Sequence, residues 1–245
     1  MFTAERLKYV DEYYFSKKMR EINNYISSGR PIINMAIGSP DLSPSPEVKQ
    51  ALSESIRDER SSMYQSYIGL PELREAISKF YFKQYGVELN PIDEILPLMG
   101  SKEGVMHISM AFLNKGDGVL IPNPGYPTYN SVSKLVGAET FYYNLSEENN
   151  WYPKMDDLKR LKTKKIKLMW INYPHMPTGA DFDEKKLNEL VYWAEKNNIL
   201  LINDNPYSFI LNKKPRSILS LKSSKGVAIE MNSLSKSFNM AGWRV

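Results

Sequence analysis

The stretch Ile199-Leu-Leu-Ile-Asn-Asp204-Asn-Pro-Tyr207 decides the fold class of this 245-residue chain. Its first four residues are all apolar, whereas a strand with one face in solvent alternates apolar and polar residues. A run without alternation is typical of a strand that helices cover on both faces. Five further short runs are predicted strands, and they span residues 94–99, 118–121, 140–145, 166–171 and 226–231.

Helical patterns separate these strands along the chain. Apolar residues at the spacing of one helix face predict helices over residues 71–85 and 183–198. One long helix is also predicted near residues 4–27, and a helical run is predicted from Ser101 through Leu113. Strands that alternate with helices indicate an α/β fold, in which a mostly parallel sheet is sandwiched between helices.

The domain organisation follows from a turn near the N-terminus. The first helical run precedes a segment rich in Pro and Ser at residues 39–46. We therefore predict an N-terminal arm or small-domain segment over residues 1–40 and one large domain over residues 41–245.

Composition excludes several classes of site. The net charge is +4 and 42% of the residues are hydrophobic, which is ordinary for a globular protein. The chain has no Cys and two His, so disulfides and thiolate clusters are excluded and no metal site is predicted. Without a run of ~18 apolar residues or an apolar signal core, we expect a cytoplasmic protein with no membrane partner. The basic residues of 159–167 are interpreted as a solvated helix end, not a nucleic-acid site.

Ligands of open α/β sheets bind outside the carboxyl ends of the strands. Gly100-Ser101-Lys102 follows the first predicted strand and opens a helix, where free backbone N–H groups attract anions. The same residues also fit an ordinary helix start with Ser101 as the cap. A phosphate site and a simple cap therefore both remain open for this segment.

Two further strand ends carry charged side chains. Asp204 ends a buried strand, and its carboxylate either holds a protonated ring nitrogen or caps the turn at Pro206. Lys236 lies in a Ser-rich loop after the last strand, eight residues before Arg244. Beside that cation in a crevice its amine would be nucleophilic, and the alternative is a solvated lysine.

Together these segments indicate one kind of ligand. An anion cradle, a ring-nitrogen carboxylate, an activated amine and the rigid loop of residues 173–179 are the groups that an aldehyde cofactor with a phosphate and a pyridine ring requires.

The motifs resemble those of the class I/II aminotransferases of fold type I, which depend on pyridoxal 5′-phosphate. Ser233-Leu-Ser-Lys236 followed by Gly242-Trp-Arg244 is similar to that family's cofactor-lysine signature. The resemblance implies that Lys236 bonds covalently to the cofactor's aldehyde carbon, while Ser233 and Arg244 bind its phosphate. It covers about residues 37–245.

The resemblance implies further cofactor ligands. Asp204 would bind the pyridine nitrogen and Tyr207 the phenolic oxygen, while Tyr126 would stack on the ring. Gly100, Ser101 and Lys102 would form the phosphate-binding helix start.

Two more residues are implied at the edges of the site. Tyr64 resembles a tyrosine that reaches the phosphate in the neighbouring subunit, which implies a homodimer. Gly38 resembles a glycine that lies near the substrate carboxylate.

The sequence departs from the family pattern in two places. Met176 stands where the family has an Asn, so the amide donor to the phenolic oxygen is missing, and Tyr207, His175 or Asn172 would compensate. The chain ends at Val245, so the C-terminal small domain and its arginine for the substrate carboxylate are expected to be absent.

The resemblance implies an enzyme of amino acid metabolism that transfers an amino group from an L-amino acid to a 2-oxo acid. Two alternatives remain: a lyase that eliminates a sulfur group at the β-carbon, and an inactive cofactor-binding fragment. Only the transferase requires a 2-oxo acid to regenerate the aldehyde. The sequence does not identify the amino donor or the acceptor.

Overall fold

The structure, a computed structural model, describes residues 2–36, 38–161, 165–210 and 212–245. In this part of the chain five strands form one sheet. They are β1 (Gly118–Asn123), β2 (Glu139–Asn144), β3 (Ile166–Ile171), β4 (Leu200–Asp204) and β5 (Ala228–Met231). Their order across the sheet is β2-β1-β3-β4-β5, and every neighbouring pair is parallel.

The sheet is flanked by helices that alternate with its strands. The helices are α1 (Tyr14–Ser27), α2 (Pro46–Ser55), α3 (Pro71–Tyr85), α4 (Ser101–Phe112), α5 (Pro127–Leu135), α6 (Met155–Arg160), α7 (Glu184–Lys196) and α8 (Leu234–Ser237). Short 3₁₀ segments lie at Glu5–Tyr9, Glu59–Ser62, Glu147–Asn149, Ile218–Ser220 and Ala241–Trp243.

Strand β3 illustrates why the central runs lack alternation. Leu168 and Trp170 point into one hydrophobic core, and Met169 and Ile171 point into a second core on the other face of the sheet. Because successive side chains of a strand point to opposite faces, a strand segment between two cores is apolar at consecutive positions, as from Leu168 to Ile171, whereas Lys167 near the start of β3 is exposed. The predicted fold class is confirmed.

The strand order creates a crevice at one edge of the sheet. From β1 the chain crosses to β2 on one side, and it then returns to β3 on the other side of β1. At such a switch point the two connections diverge, which leaves a space beyond the carboxyl ends of β1 and β3. The segments that follow β1, β3 and β4 border this space.

Two predicted helices are present with their expected ends. Helix α3 has Pro71 in its first turn and ends at Gly86, whose φ of 67° favours glycine. Helix α7 begins after Asp183, whose carboxylate accepts a hydrogen bond from the Lys186 N–H at 3.1 Å.

The prediction of one helix over residues 4–27 is wrong. A 3₁₀ turn at Glu5–Tyr9 and helix α1 are separated by residues 10–13, and Val10 is extended with φ −122° and ψ 114°. The break allows the Tyr13 side chain to pack against the crevice, a tertiary contact that helical spacing does not encode.

The predicted strand over residues 94–99 is also wrong. Leu98 packs beside Gly104 but Leu96 is exposed, whereas residues two apart would share one face of a strand. In addition, no strand pairs with this segment among the described residues. A strand requires backbone hydrogen bonds to a neighbour, and the apolar pattern alone does not supply one.

Three other expectations concern the chain as a whole. Lys162 and Lys164 of the basic run lie outside the described residues, and Lys165 pairs with Glu139 at 2.6 Å. The division into residues 1–40 and 41–245 remains a prediction. Within the described ranges, every helix is too short or too polar to span a bilayer.

Candidate functional site

Asp204 is the last residue of β4 and lies on the floor of the crevice. Its Oδ2 accepts a hydrogen bond from the Tyr129 hydroxyl at 2.9 Å, and its Oδ1 is buried without a hydrogen-bond partner among the described residues. Burial raises the pKa of Asp204 to about 6, although the hydrogen bond from Tyr129 acts in the opposite direction. The free oxygen is an acceptor for a buried, positively charged donor.

The N-terminus of α4 forms an anion cradle with Arg244. Gly100 precedes the helix with a φ of 87°, and a methyl group there would overlap the guanidinium, 2.8 Å from its Cζ. The guanidinium of Arg244 therefore lies directly against the helix start. Backbone N–H groups and a guanidinium at one point are suited to a phosphate.

The turn that carries Lys236 contacts the loop that follows Asp204. Lys236 is part of α8 and is partly buried, and the neighbouring Ser237 hydroxyl donates to the Pro206 carbonyl at 3.4 Å. Ser233 caps α8, and its hydroxyl donates to the Val245 carbonyl at 2.9 Å. The loops after β4 and β5 are thus joined at the sheet edge.

Tyrosines line the other side of the crevice. The ring of Tyr126, which precedes α5, meets the Tyr129 ring edge-on at 5.4 Å between centroids. Burial raises the pKa of Tyr207, and the charge of Asp204 and the Tyr126 phenol raise it further. Tyr126 and Tyr207 therefore both lie near the carboxylate.

Tyr13 in the N-terminal arm is a site residue that the sequence analysis missed. Burial raises the pKa of its phenol, and the nearby phenols of Tyr126 and Tyr207 raise it further. Its ring also contacts the Lys102 ammonium at 4.1 Å. The arm thus brings Tyr13 next to Tyr126, Tyr207 and Lys102. The available sequence signal was the pair of tyrosines at residues 13 and 14 in a charged segment.

Comparison with known proteins identifies the family. The Aminotransferase class I and II family matches residues 30–245. The chain belongs to this family.

Two similar relatives are LL-diaminopimelate aminotransferases. The protein from Aquifex aeolicus is 38% identical over 99% of this chain, and one from Dehalococcoides mccartyi is 40% identical over 100% of it. The chain spans 63% and 64% of the lengths of these two relatives.

Solved structures share the fold. Apo-BacF from Bacillus subtilis has a TM-score of 0.94 at 36% identity, covering 100% of this chain and 63% of that one. The aspartate aminotransferase of Thermus thermophilus with maleate has a TM-score of 0.93 at 22% identity, with coverages of 100% and 63%. At that identity the second likeness concerns the fold alone.

Members of this aminotransferase family use pyridoxal 5′-phosphate. The site fits that cofactor in two respects. The unpartnered Asp204 Oδ1 matches a protonated pyridine nitrogen, and the contact between Gly100 and Arg244 matches a phosphate.

The loop after β3 contains Met176, which stands where the family has an Asn. Asn172 does not replace the missing amide, because its Nδ2 donates to the Asp204 backbone carbonyl and its Oδ1 accepts from the Met176 N–H at 2.8 Å. His175 is buried, its Nδ1 lies 2.8 Å from the Thr178 hydroxyl, and burial lowers its pKa to about 4. His175 is therefore neutral at neutral pH.

Two predicted site residues lie apart from the others in this chain. The Tyr64 side chain is completely exposed, and Gly38 is exposed with no atom within 4 Å of a methyl group at its position. Their predicted roles depend on groups outside the chain: the neighbouring subunit for Tyr64 and the substrate for Gly38.

Proposed function

We propose that this chain is the cofactor-binding part of an aminotransferase that moves an amino group from an L-amino acid to a 2-oxo acid. The observation that carries the proposal is the buried Asp204 carboxylate with its unpartnered Oδ1. A family's sequence motif can persist in a protein that has lost catalytic activity. A buried carboxylate that accepts only one neutral hydrogen bond, however, lowers the stability of the protein unless a cation binds it.

Each residue of the site has a proposed task. The N–H groups of residues 100–102 and the Arg244 guanidinium bind the phosphate, and Tyr126 stacks on the ring. The Asp204 Oδ1 accepts a hydrogen bond from the protonated ring nitrogen. When bound, the cofactor supplies an aldehyde that condenses with amines and a ring that accepts electrons.

Lys236 is proposed to move the proton. With the cofactor and substrate bound, the Lys236 amine would take the proton from the substrate's α-carbon and would return it to the reacting carbon of the cofactor. Tyr207 donates its hydroxyl proton to the phenolic oxygen. Because Met176 stands where the family has an amide, Tyr207 would carry that interaction without the family's second donor.

The relatives suggest a first substrate to test. Two proteins that are 38–40% identical are named LL-diaminopimelate aminotransferases. We propose a diamino dicarboxylic acid of this type as the amino donor, and Lys102 at the mouth of the crevice offers a cation for its distal carboxylate.

We propose a homodimer as the active form. Tyr64 lies in a segment whose apolar and aromatic side chains face solvent, including Met63, Tyr67 and Ile68. An exposed cluster of this kind is typical of an interface. In the dimer, Tyr64 would reach the phosphate of the neighbouring subunit.

The proposed function predicts one specific lysine adduct. Borohydride reduction makes a bond between a lysine amine and the cofactor's aldehyde carbon permanent, and peptide mapping then locates it. We expect the label on Lys236, and we expect Lys236→Ala to abolish labelling and lower turnover by about 10²–10⁴-fold.

Lys225→Ala provides the control, because Lys225 is a surface lysine that pairs with Glu94 at 3.7 Å. It should retain both labelling and turnover. Labelling of another lysine in the Lys236→Ala protein would contradict the proposed site. Release of ammonia and a 2-oxo acid without any acceptor would instead identify a lyase.

A further inference from the structure

The Tyr129 hydroxyl is the one side-chain donor to Asp204 among the described residues. Tyr129 lies on α5, three residues after Tyr126, and its side chain is buried. The sequence motifs do not involve it, and the proposed chemistry does not use it directly. Its contact with Asp204 joins two segments that are 75 residues apart in the chain.

Packing fixes the orientation of the Tyr129 ring. The ring stacks on Trp170 with 4.9 Å between centroids and an interplanar angle of 5°. The Tyr126 ring meets it edge-on at an angle of 84°. These contacts hold the ring in one orientation, and its hydroxyl oxygen then lies 2.9 Å from Asp204 Oδ2, to which it donates.

A fixed donor on Oδ2 has a consequence for Oδ1. A carboxylate can rotate about its Cβ–Cγ bond, and a hydrogen bond to one oxygen prevents this rotation and leaves the other oxygen in a defined place. The same hydrogen bond favours the charged form, against the burial that raises the pKa of Asp204. Of the other titratable side chains described, Tyr207 also interacts with the Asp204 charge.

We propose that Tyr129 is a positioning residue for amino transfer: its hydroxyl holds the Asp204 carboxylate charged and oriented, so that Oδ1 meets the protonated ring nitrogen. Because Tyr126 packs on the same ring, Tyr129 also aligns the stacking aromatic with the carboxylate. The inference rests on the proposed function, since it assumes that Asp204 binds that nitrogen.

The test compares two single-atom deletions in the intact protein. Tyr129→Phe removes the donor to Asp204. Tyr143→Phe is the matched control, because Tyr143 is also buried but its hydroxyl donates to the Trp170 carbonyl at 2.7 Å. The readouts are the pH dependence of the cofactor's dissociation constant, the melting temperature without cofactor, and kcat.

Cofactor binding should weaken as the pH falls and Asp204 becomes protonated. We expect Tyr129→Phe to move the midpoint of this transition upward by about one to two pH units, and to lower kcat by about 10- to 100-fold. Tyr143→Phe should leave the midpoint unchanged, even where it lowers the melting temperature. Equal midpoints for the two variants would overturn the inference, because Tyr129 would then have only a structural role.

Two further variants keep the outcomes separable. If Asp204→Asn retains the wild-type affinity and pH transition, the proposed function itself fails; if it abolishes the transition that Tyr129→Phe leaves unchanged, only the role of Tyr129 fails. If Tyr129→Phe does not fold, 3-fluorotyrosine at position 129 replaces it. As a stronger donor of the same shape, it should move the midpoint downward, and an unchanged midpoint would again overturn the inference.

Discussion

Burial changes the protonation of single residues at this site before any ligand binds. It raises the pKa of Asp204 to about 6 and lowers the pKa of His175 to about 4. Both shifts favour the neutral form, but they affect stability in opposite pH directions. The Asp204 carboxylate costs stability as the pH rises from about 4 through 6, whereas His175 costs stability as the pH falls from about 6.5 towards 4.

Asp204→Asn should therefore stabilise the cofactor-free protein at neutral pH. The expected gain in the free energy of unfolding is about 3 kcal/mol at pH 7.5, because a shift of about two pKa units is relieved. The gain should shrink towards zero near pH 4, where the wild-type carboxyl is already neutral. Urea unfolding at both pH values measures this difference.

Asp157→Asn, which changes an exposed acid on α6, serves as the control and should alter stability by less than about 0.5 kcal/mol at either pH. A pH-independent effect of Asp204→Asn would mean that the carboxylate is not desolvated.

A site residue could be predicted from the sequence where its place in the fold follows from its position relative to a predicted strand. Asp204 ends strand β4 and Lys236 lies in the short segment that follows β5, so their place at the sheet edge follows from the strand pattern. Tyr129 and Tyr13 could not be found in this way. Their contacts depend on how β4, α5 and the N-terminal arm pack together, which local spacing does not determine.

At the scale of elements, the start of α4 depends on a glycine for two separate reasons. Gly100 has a positive φ, and its hydrogen atom faces the Arg244 guanidinium. Gly100→Ala should cost about 1–2 kcal/mol of stability through backbone strain and, by displacing the guanidinium, weaken cofactor binding by about tenfold or more.

Gly116→Ala separates these two effects. Gly116 has the same φ of 87°, but no atom lies within 4 Å of a methyl group there. This control should lose similar stability and keep its cofactor affinity. Calorimetric titration of both variants measures the affinity, and an equal loss in the two would contradict the anion cradle.

Elements with a strong local signal could be predicted from the sequence, whereas the pairing of strands could not. Helix α3 has both a proline start and a glycine end, and its bounds were predicted within a residue. The run 94–99 has an apolar pattern, but it lacks a neighbouring strand among the described residues. The strand order likewise could not be read from the sequence, because it is set by long-range contacts.

At the scale of the whole molecule, the exposed segment around Tyr64 predicts a dimer. We expect sedimentation of the intact protein to give twice the monomer mass. Tyr64→Ala should weaken cofactor binding by about tenfold without changing the melting temperature, because its side chain is exposed in this chain and the partner proposed for its hydroxyl is in the neighbouring subunit.

Tyr192→Ala is the control for this experiment, since Tyr192 is also exposed but lies on α7. It should leave the cofactor affinity unchanged. A monomer with full cofactor affinity would contradict the shared site.

The stack of Trp170 on Tyr129 gives the fold an optical property. Trp170 is completely buried. Its ring stacks on Tyr129, and Tyr129 in turn contacts Tyr126, which lines the crevice. Its fluorescence should be blue-shifted by the dry environment, and a chromophore that enters the crevice should quench it by energy transfer. The indole is thus a built-in reporter of ligand occupancy, and it allows binding to be followed in the unlabelled protein.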